Sequence, residues 1–163
     1  MSLSSHLRGL ADADIPLFTP RYFQPRIPRS LAVPESVTVR FASYIDSSTF
    51  VIYSYDYVEI SGENFWEDFI GLMQERTGIR IWDMWLEDDK LYVDLHSTEA
   101  AFFDMGSTGS WMRGLLLKAP LASLPFISSF ELLVGGAHDV TTSHFNFGTY
   151  YVENGEIVGL WRP

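Results

Sequence analysis

Asp94 and His96, His138 with Asp139, and His144 are the residues with the most chemistry to offer. Imidazole and carboxylate groups together are what a zinc or iron site needs, and they can also act as acid and base. Asp94 and His96 are two positions apart, so on an extended strand both point the same way. The three histidines fall in separate segments, however, and no ligand spacing such as HExxH joins them. Histidines in turns such as GGAHD and TTSHF ordinarily make local hydrogen bonds. The expectation is no metal ligands, no cofactor site and no catalytic residues.

Other constellations lead to the same place. Gly106-Ser107-Thr108-Gly109-Ser110 stands before a helical pattern, where free N–H groups could cradle an anion. It matches neither GxxxxGK[ST] nor GxGxxG, and Ser and Thr there fit as caps. Glu87-Asp88-Asp89 lacks the spaced oxygen ligands of a calcium loop and reads as a hairpin tip. No Gly-x-Ser-x-Gly elbow occurs. The five tryptophans could form a sugar-stacking platform, but most fall on faces expected to be buried. With no cysteine in the chain, disulfides, thiolate zinc sites and cysteine nucleophiles are excluded.

These residues must be positioned by elements the pattern makes visible. Val37, Val39 and Phe41 alternate with Thr38 and Arg40 as a half-buried strand, and residues 49–60 read as a second strand. Asn64 is placed to cap a helix over 64–77, with Glu67 completing a capping box and Gly78 stopping it. Its apolar face is Phe65, Trp66, Phe69, Ile70 and Met73. Two strands follow around Glu87-Asp88-Asp89, with Leu91, Val93 and Leu95 facing one way and Tyr92, Asp94 and His96 the other. A second helix over 110–119 has Trp111, Met112, Leu115, Leu116 and Ala119 as its apolar face, with Pro120 ending or kinking it. Residues 130–134 form another strand, and Asn154-Gly155 supplies the two positive-φ residues of a type I′ hairpin. The order predicts one α+β domain over 36–163: two helices on one face of a small, mainly antiparallel sheet, with a C-terminal hairpin. Leu91, Val93, Leu95, Phe130, Leu132 and Val134 are expected to meet Phe69, Met73, Leu115 and Leu116 in its core.

The chain has 163 residues and a formal charge of −10, which disfavours nucleic acid and anionic membrane surfaces as partners. That charge is uneven. Residues 1–35 hold five of the eight prolines and carry four arginines against three acids, leaving the body at −11. Arg21, Tyr22, Phe23, Arg26 and Arg29 make this a basic, aromatic, extended arm, of the composition favoured at interfaces. It is expected to lie on its own domain or on a neighbouring subunit. No apolar run reaches membrane-spanning length, and MSLSSHLRGLADAD lacks the parts of a signal peptide.

Residues 82–147 resemble the GerMN domain of sporulation and spore-germination proteins from Gram-positive bacteria. The likeness rests on DDKLYVDLHST (88–98), Gly106-Ser107, the Leu-rich WMRGLLLKAPLASLP, FELLVGG (130–136) and TTSHFNF (141–147). It implies an interaction or assembly module, not an enzyme, working outside the cytoplasmic membrane in the cell envelope, with a protein partner or self-association. His96, Pro120 and the closing YYVENGEIVGLW depart from the family pattern. That ending is similar to NTF2-like domains, which implies an alternative: a small-ligand binder or enzyme with a pocket near Asp94, His96 and His144.

Overall fold

A computed structural model describes residues 33–46 and 51–160. The chain runs β1 (Ser36–Asp46), β2 (Val51–Ser61), α1 (Phe65–Thr77), β3 (Ile81–Glu87), β4 (Lys90–Leu95), a short 3-10 helix (Glu99–Phe103), α2 (Gly106–Ala122), β5 (Ser129–Val134), β6 (Thr149–Glu153) and β7 (Glu156–Leu160). The fold is α+β, and the element order is the one the sequence predicts. The strands divide into two sheets: a two-stranded ribbon, β1-β2, and a five-stranded sheet in the order β3-β4-β5-β6-β7. Pairing is antiparallel except between β4 and β5, which the crossover through α2 makes parallel.

One core joins these parts. Leu91, Val93 and Leu95 of β4 are fully buried, with Phe130 and Leu132 of β5 beside them. They share a cluster with Phe69 and Met73 of α1, Leu117 and Leu121 of α2, and Val37, Val39 and Phe41 of the ribbon. Both helices thus lie on the same face of the five-stranded sheet. In the ribbon, Phe41 meets Phe69 at 6.3 Å between ring centres.

Local geometry explains the boundaries. Gly78 ends α1 in the left-handed conformation at φ 75° and returns its N–H to the Gln74 carbonyl. Asn64 takes the N-cap position without a side-chain hydrogen bond, so the expected capping box does not form. Gly62 sits so close to the preceding chain that a Cβ would lie 2.0 Å from the Pro34 carbonyl oxygen. Asn154 (φ 52°) and Gly155 (φ 79°) form the closing hairpin turn.

The second helix differs most from expectation. It begins at Gly106, so the Gly-Ser stretch is its first turn rather than a loop before it, and it continues through Pro120 to Ala122. Its buried residues are Ser110, Gly114, Leu117, Ala119, Pro120, Leu121 and Ala122, whereas Trp111 is 51% exposed and Leu115 and Leu116 are only half-buried. Gly114 is the reason. Its bare Cα lets Phe145 press against the helix, and a Cβ there would meet the Phe145 ring at 2.6 Å. This contact rotates the small side of α2 inward and turns Trp111 out.

Candidate functional site

Two surfaces concentrate polar and aromatic groups. The first is the face of the five-stranded sheet opposite the helices. Asp94 pairs in register with Asp83 of β3, and Tyr92 with Trp85, so these four side chains share that face. Trp85 and Tyr92 stack with parallel rings 5.1 Å apart, and the Lys90 ammonium lies over Tyr92 at 4.8 Å. Trp82, next to a register irregularity in β3, meets the His96 ring at 5.6 Å. Glu131 of β5 binds Lys90 at 2.9 Å and the His138 Nδ1 at 2.5 Å. Burial alone would raise the Glu131 pKa, but the hydrogen bonds from His138 and Lys90 outweigh it and hold the carboxyl below its ordinary value. Asp94 accepts the Gly136 N–H at 2.8 Å, which anchors the turn after β5.

The structure thus brings Asp94 and His96 to one face, as the alternation requires, and adds His138 through Glu131. His144 does not join them. It is exposed in a turn held by Thr142 and by Phe145, and Phe145 packs with Phe103 and against α2 on the helix side. The three residues of the expected ligand pocket therefore belong to two different regions. Among the described residues, no group of three or more His, Asp or Glu is arranged to hold a metal ion. An open groove of about 440 Å3 between α1 and β2 is lined by Glu59, Glu67, Asp68 and Glu75 with Ile60 and Leu72.

The second surface is the outer strand of the ribbon. Tyr53, Tyr55 and Tyr57 alternate along β2 on one side and are 41%, 38% and 64% exposed. Their register partners Tyr44, Ala42 and Arg40 on β1 are covered by comparison. Tyr53 makes edge contacts with Tyr55 at 5.5 Å and with the exposed Trp111 at 6.0 Å. The row continues toward α2, where the Tyr44 hydroxyl donates to the Met112 carbonyl and burial pushes its pKa up to about 12. Arg40 fixes the other end, its guanidinium over Tyr55 at 4.8 Å and bonded to Glu156 and the Gly155 carbonyl, each at 2.8 Å.

Sequence reasoning missed one further buried cluster. Glu99, fully buried, accepts from Arg80 at 3.1 Å and from Arg113 at 2.9 Å, tying the 3-10 helix to the start of β3 and to α2. Its partners stand 19 and 14 residues away, so no local spacing reveals the pair. A single acid beside Ala100, Ala101, Phe102 and Phe103 was the available signal. The arm residues Arg21, Tyr22, Phe23, Arg26 and Arg29 lie outside the described residues. No described helix is long and apolar enough to cross a membrane.

No protein-family model matches this chain, and no curated protein matches it. A solved structure described as "Putative Lipoprotein from Clostridium perfringens" is similar over 77% of this chain and 91% of its own, at 14% identity and a TM-score of 0.45.

Proposed function

We propose that this protein is a non-enzymatic interaction and assembly module that binds another protein through the tyrosine row of β2. The exposed Tyr53-Tyr55-Tyr57 row, extended by Trp111, carries this reading. Tyr and Trp offer large contact area with few rotatable bonds, and they are enriched where interfaces gain most of their energy. Water leaves such rings without losing hydrogen bonds, provided the hydroxyl finds a partner. On the GerMN resemblance, the reading extends to work in the bacterial cell envelope, in sporulation or germination. The resembling segments fall on β4, α2, β5 and the turn that follows β5.

The test uses the full chain as bait against the envelope fraction of a sporulating Gram-positive cell, alongside a Tyr53→Ser/Tyr57→Ser double variant. A partner, or a second copy of the chain, should be retained by the wild type and lost by the variant, with the melting midpoint unchanged. Equal retention by both proteins defeats the proposal, as does the absence of any partner and of self-association at tens of micromolar.

A further inference from the structure

Among the described residues β2 pairs only with β1, and that pairing runs through all 11 of its residues without a bulge. Its sequence, VIYSYDYVEIS, holds neither the Lys nor the Pro by which edge strands are commonly blunted. Tyr53, Ser54, Tyr55, Asp56 and Tyr57 are all exposed, so both faces of this edge are open to a neighbour.

The register decides which backbone groups the edge offers. Arg40 stands opposite Tyr57, yet its N–H turns away from β2 and donates to the Ser123 hydroxyl at 3.0 Å. Opposed residues of an antiparallel pair either bond each other or both turn away, and the two cases alternate. Tyr57, Tyr55 and Tyr53 therefore direct their N–H and C=O groups outward. The Ser123 contact occupies the outer edge of β1 at its middle, which directs strand addition to β2.

A second copy of β2 fits this edge in one register. With Tyr55 on a two-fold axis, Tyr55 meets Tyr55 of the other copy, Tyr53 meets Tyr57, and Ser54 meets Asp56. Each tyrosine pair exchanges two backbone hydrogen bonds, and Ser54 with Asp56 falls at the closely spaced sites where a hydroxyl reaches a carboxylate. Sliding one strand by two residues sets Asp56 against Asp56 in one direction, and in the other leaves Tyr57 without a tyrosine opposite. Asp56, the acid within this stretch, is already held by the Arg76 guanidinium at 2.7 Å.

We propose that two copies of this chain join β2 to β2 in antiparallel fashion about Tyr55, making a continuous sheet in the order β1-β2-β2-β1 with a shared tyrosine face. Two-fold pairing uses both β2 edges and so closes the assembly as a dimer. This dimer rests on the reading of the tyrosine row as a binding surface, and gives that surface a partner and a register.

The chain contains no cysteine, so single cysteines report the register in the full-length protein. Tyr53→Cys, Tyr55→Cys and Tyr57→Cys are oxidised mildly, singly and mixed in pairs, and the products are mapped by mass spectrometry. Opposed Cα atoms of a hydrogen-bonded pair lie ~5.5 Å apart, within disulfide reach, whereas position 53 lies ~13 Å from its own copy. Tyr55→Cys alone should cross-link at least ~10-fold faster than Tyr53→Cys or Tyr57→Cys alone, and the last two, mixed, should link to each other. In sedimentation the wild type should shift toward twice the mass of one chain between ~1 and ~500 µM, because a contact of this size is weak. A wild type that stays monomeric over that range overturns the dimer, whether or not a cysteine variant folds. Preferential self-linking at position 53 or 57 also overturns it, by assigning another register. A monomeric wild type that still captures an envelope partner, lost in Tyr53→Ser/Tyr57→Ser, would sink the dimer and leave the tyrosine-row reading standing; failure of both would sink both.

Discussion

Strands β2 and β4 are written in similar letters and meet opposite fates. Both alternate aliphatic residues with tyrosines and acids. On β4, Leu91, Val93 and Leu95 are fully buried, and the other side, Tyr92 and Asp94, is also engaged. On β2, Ile60 reaches the core, yet the tyrosines on the opposite side stand in solvent. The difference lies in neighbours. β4 is paired on both edges, by β3 and β5, whereas among the described residues β2 is paired by β1 alone. Alternation tells which residues share a side; the count of flanking strands and layers decides whether that side is wet.

The sharpest way to test this contrast is to remove volume from the strand held on both edges. Leu95→Ala should destabilise the fold by ~2–5 kcal/mol in urea unfolding, because the core around it is shared by both helices and cannot easily collapse. A loss below about 0.5 kcal/mol, an ordinary surface value, would mean that β4 is no better buried than β2.

A smaller loss is expected on the polar side of the same strand. Asp94→Ala leaves the Gly136 N–H without its acceptor and should cost ~1–3 kcal/mol, with faster amide exchange in the turn after β5 as its local signature. Exchange that is unchanged there would show that the turn holds itself.

The neighbouring strand gives the contrast a pH dependence. Because the Glu131 pKa is lowered in the folded state, its contribution is present above the unfolded value of ~4.3 and fades as pH falls through the lower folded one. Glu131→Gln should therefore flatten the acid limb of a stability–pH curve below about pH 4.5. Parallel curves for wild type and variant would count against the Lys90–Glu131–His138 group. The least effect belongs to β2, where Tyr57→Ser should shift stability by no more than ~0.5 kcal/mol in thermal or urea melts.

How much of this was legible beforehand follows the same division. Local signals correspond to the structure: the Val37-Val39-Phe41 alternation, Gly78 as a helix stop, and the Asn154-Gly155 turn. Each needs only a few adjacent residues. The face of α2 is not legible from its Leu and Trp pattern, because the decisive residue, Gly114, makes its contact with Phe145 from a distant turn. Its start was misplaced because Gly106 and Gly109 are weak helix formers that tertiary packing overrides. The Asp94-His96 side was visible as a shared face, but its tie to Glu131 and His138 depends on the parallel pairing of β4 with β5. The Glu99 pair and the burial of Asp83 depend on long-range closure, which spacing along the chain does not encode.

The Arg40–Glu156 bond has a consequence for the order in which the molecule is made. Its partners are separated by 116 residues, so the ribbon waits for that much further chain before it is latched. At ~5–20 residues per second, a ribosome leaves β1 and β2 without that latch for roughly 6–23 s. Among the described residues the tyrosine-bearing strand pairs with β1 alone, so through that interval its outer edge has no described strand to cover it. Contacts of such long range also slow refolding of the released chain, because the loop must close before the bond returns anything. The β6–β7 hairpin thus acts as a clasp on the ribbon, and a nascent chain stalled before Glu156 would present the tyrosine row of β2 to the crowded interior of the cell without it.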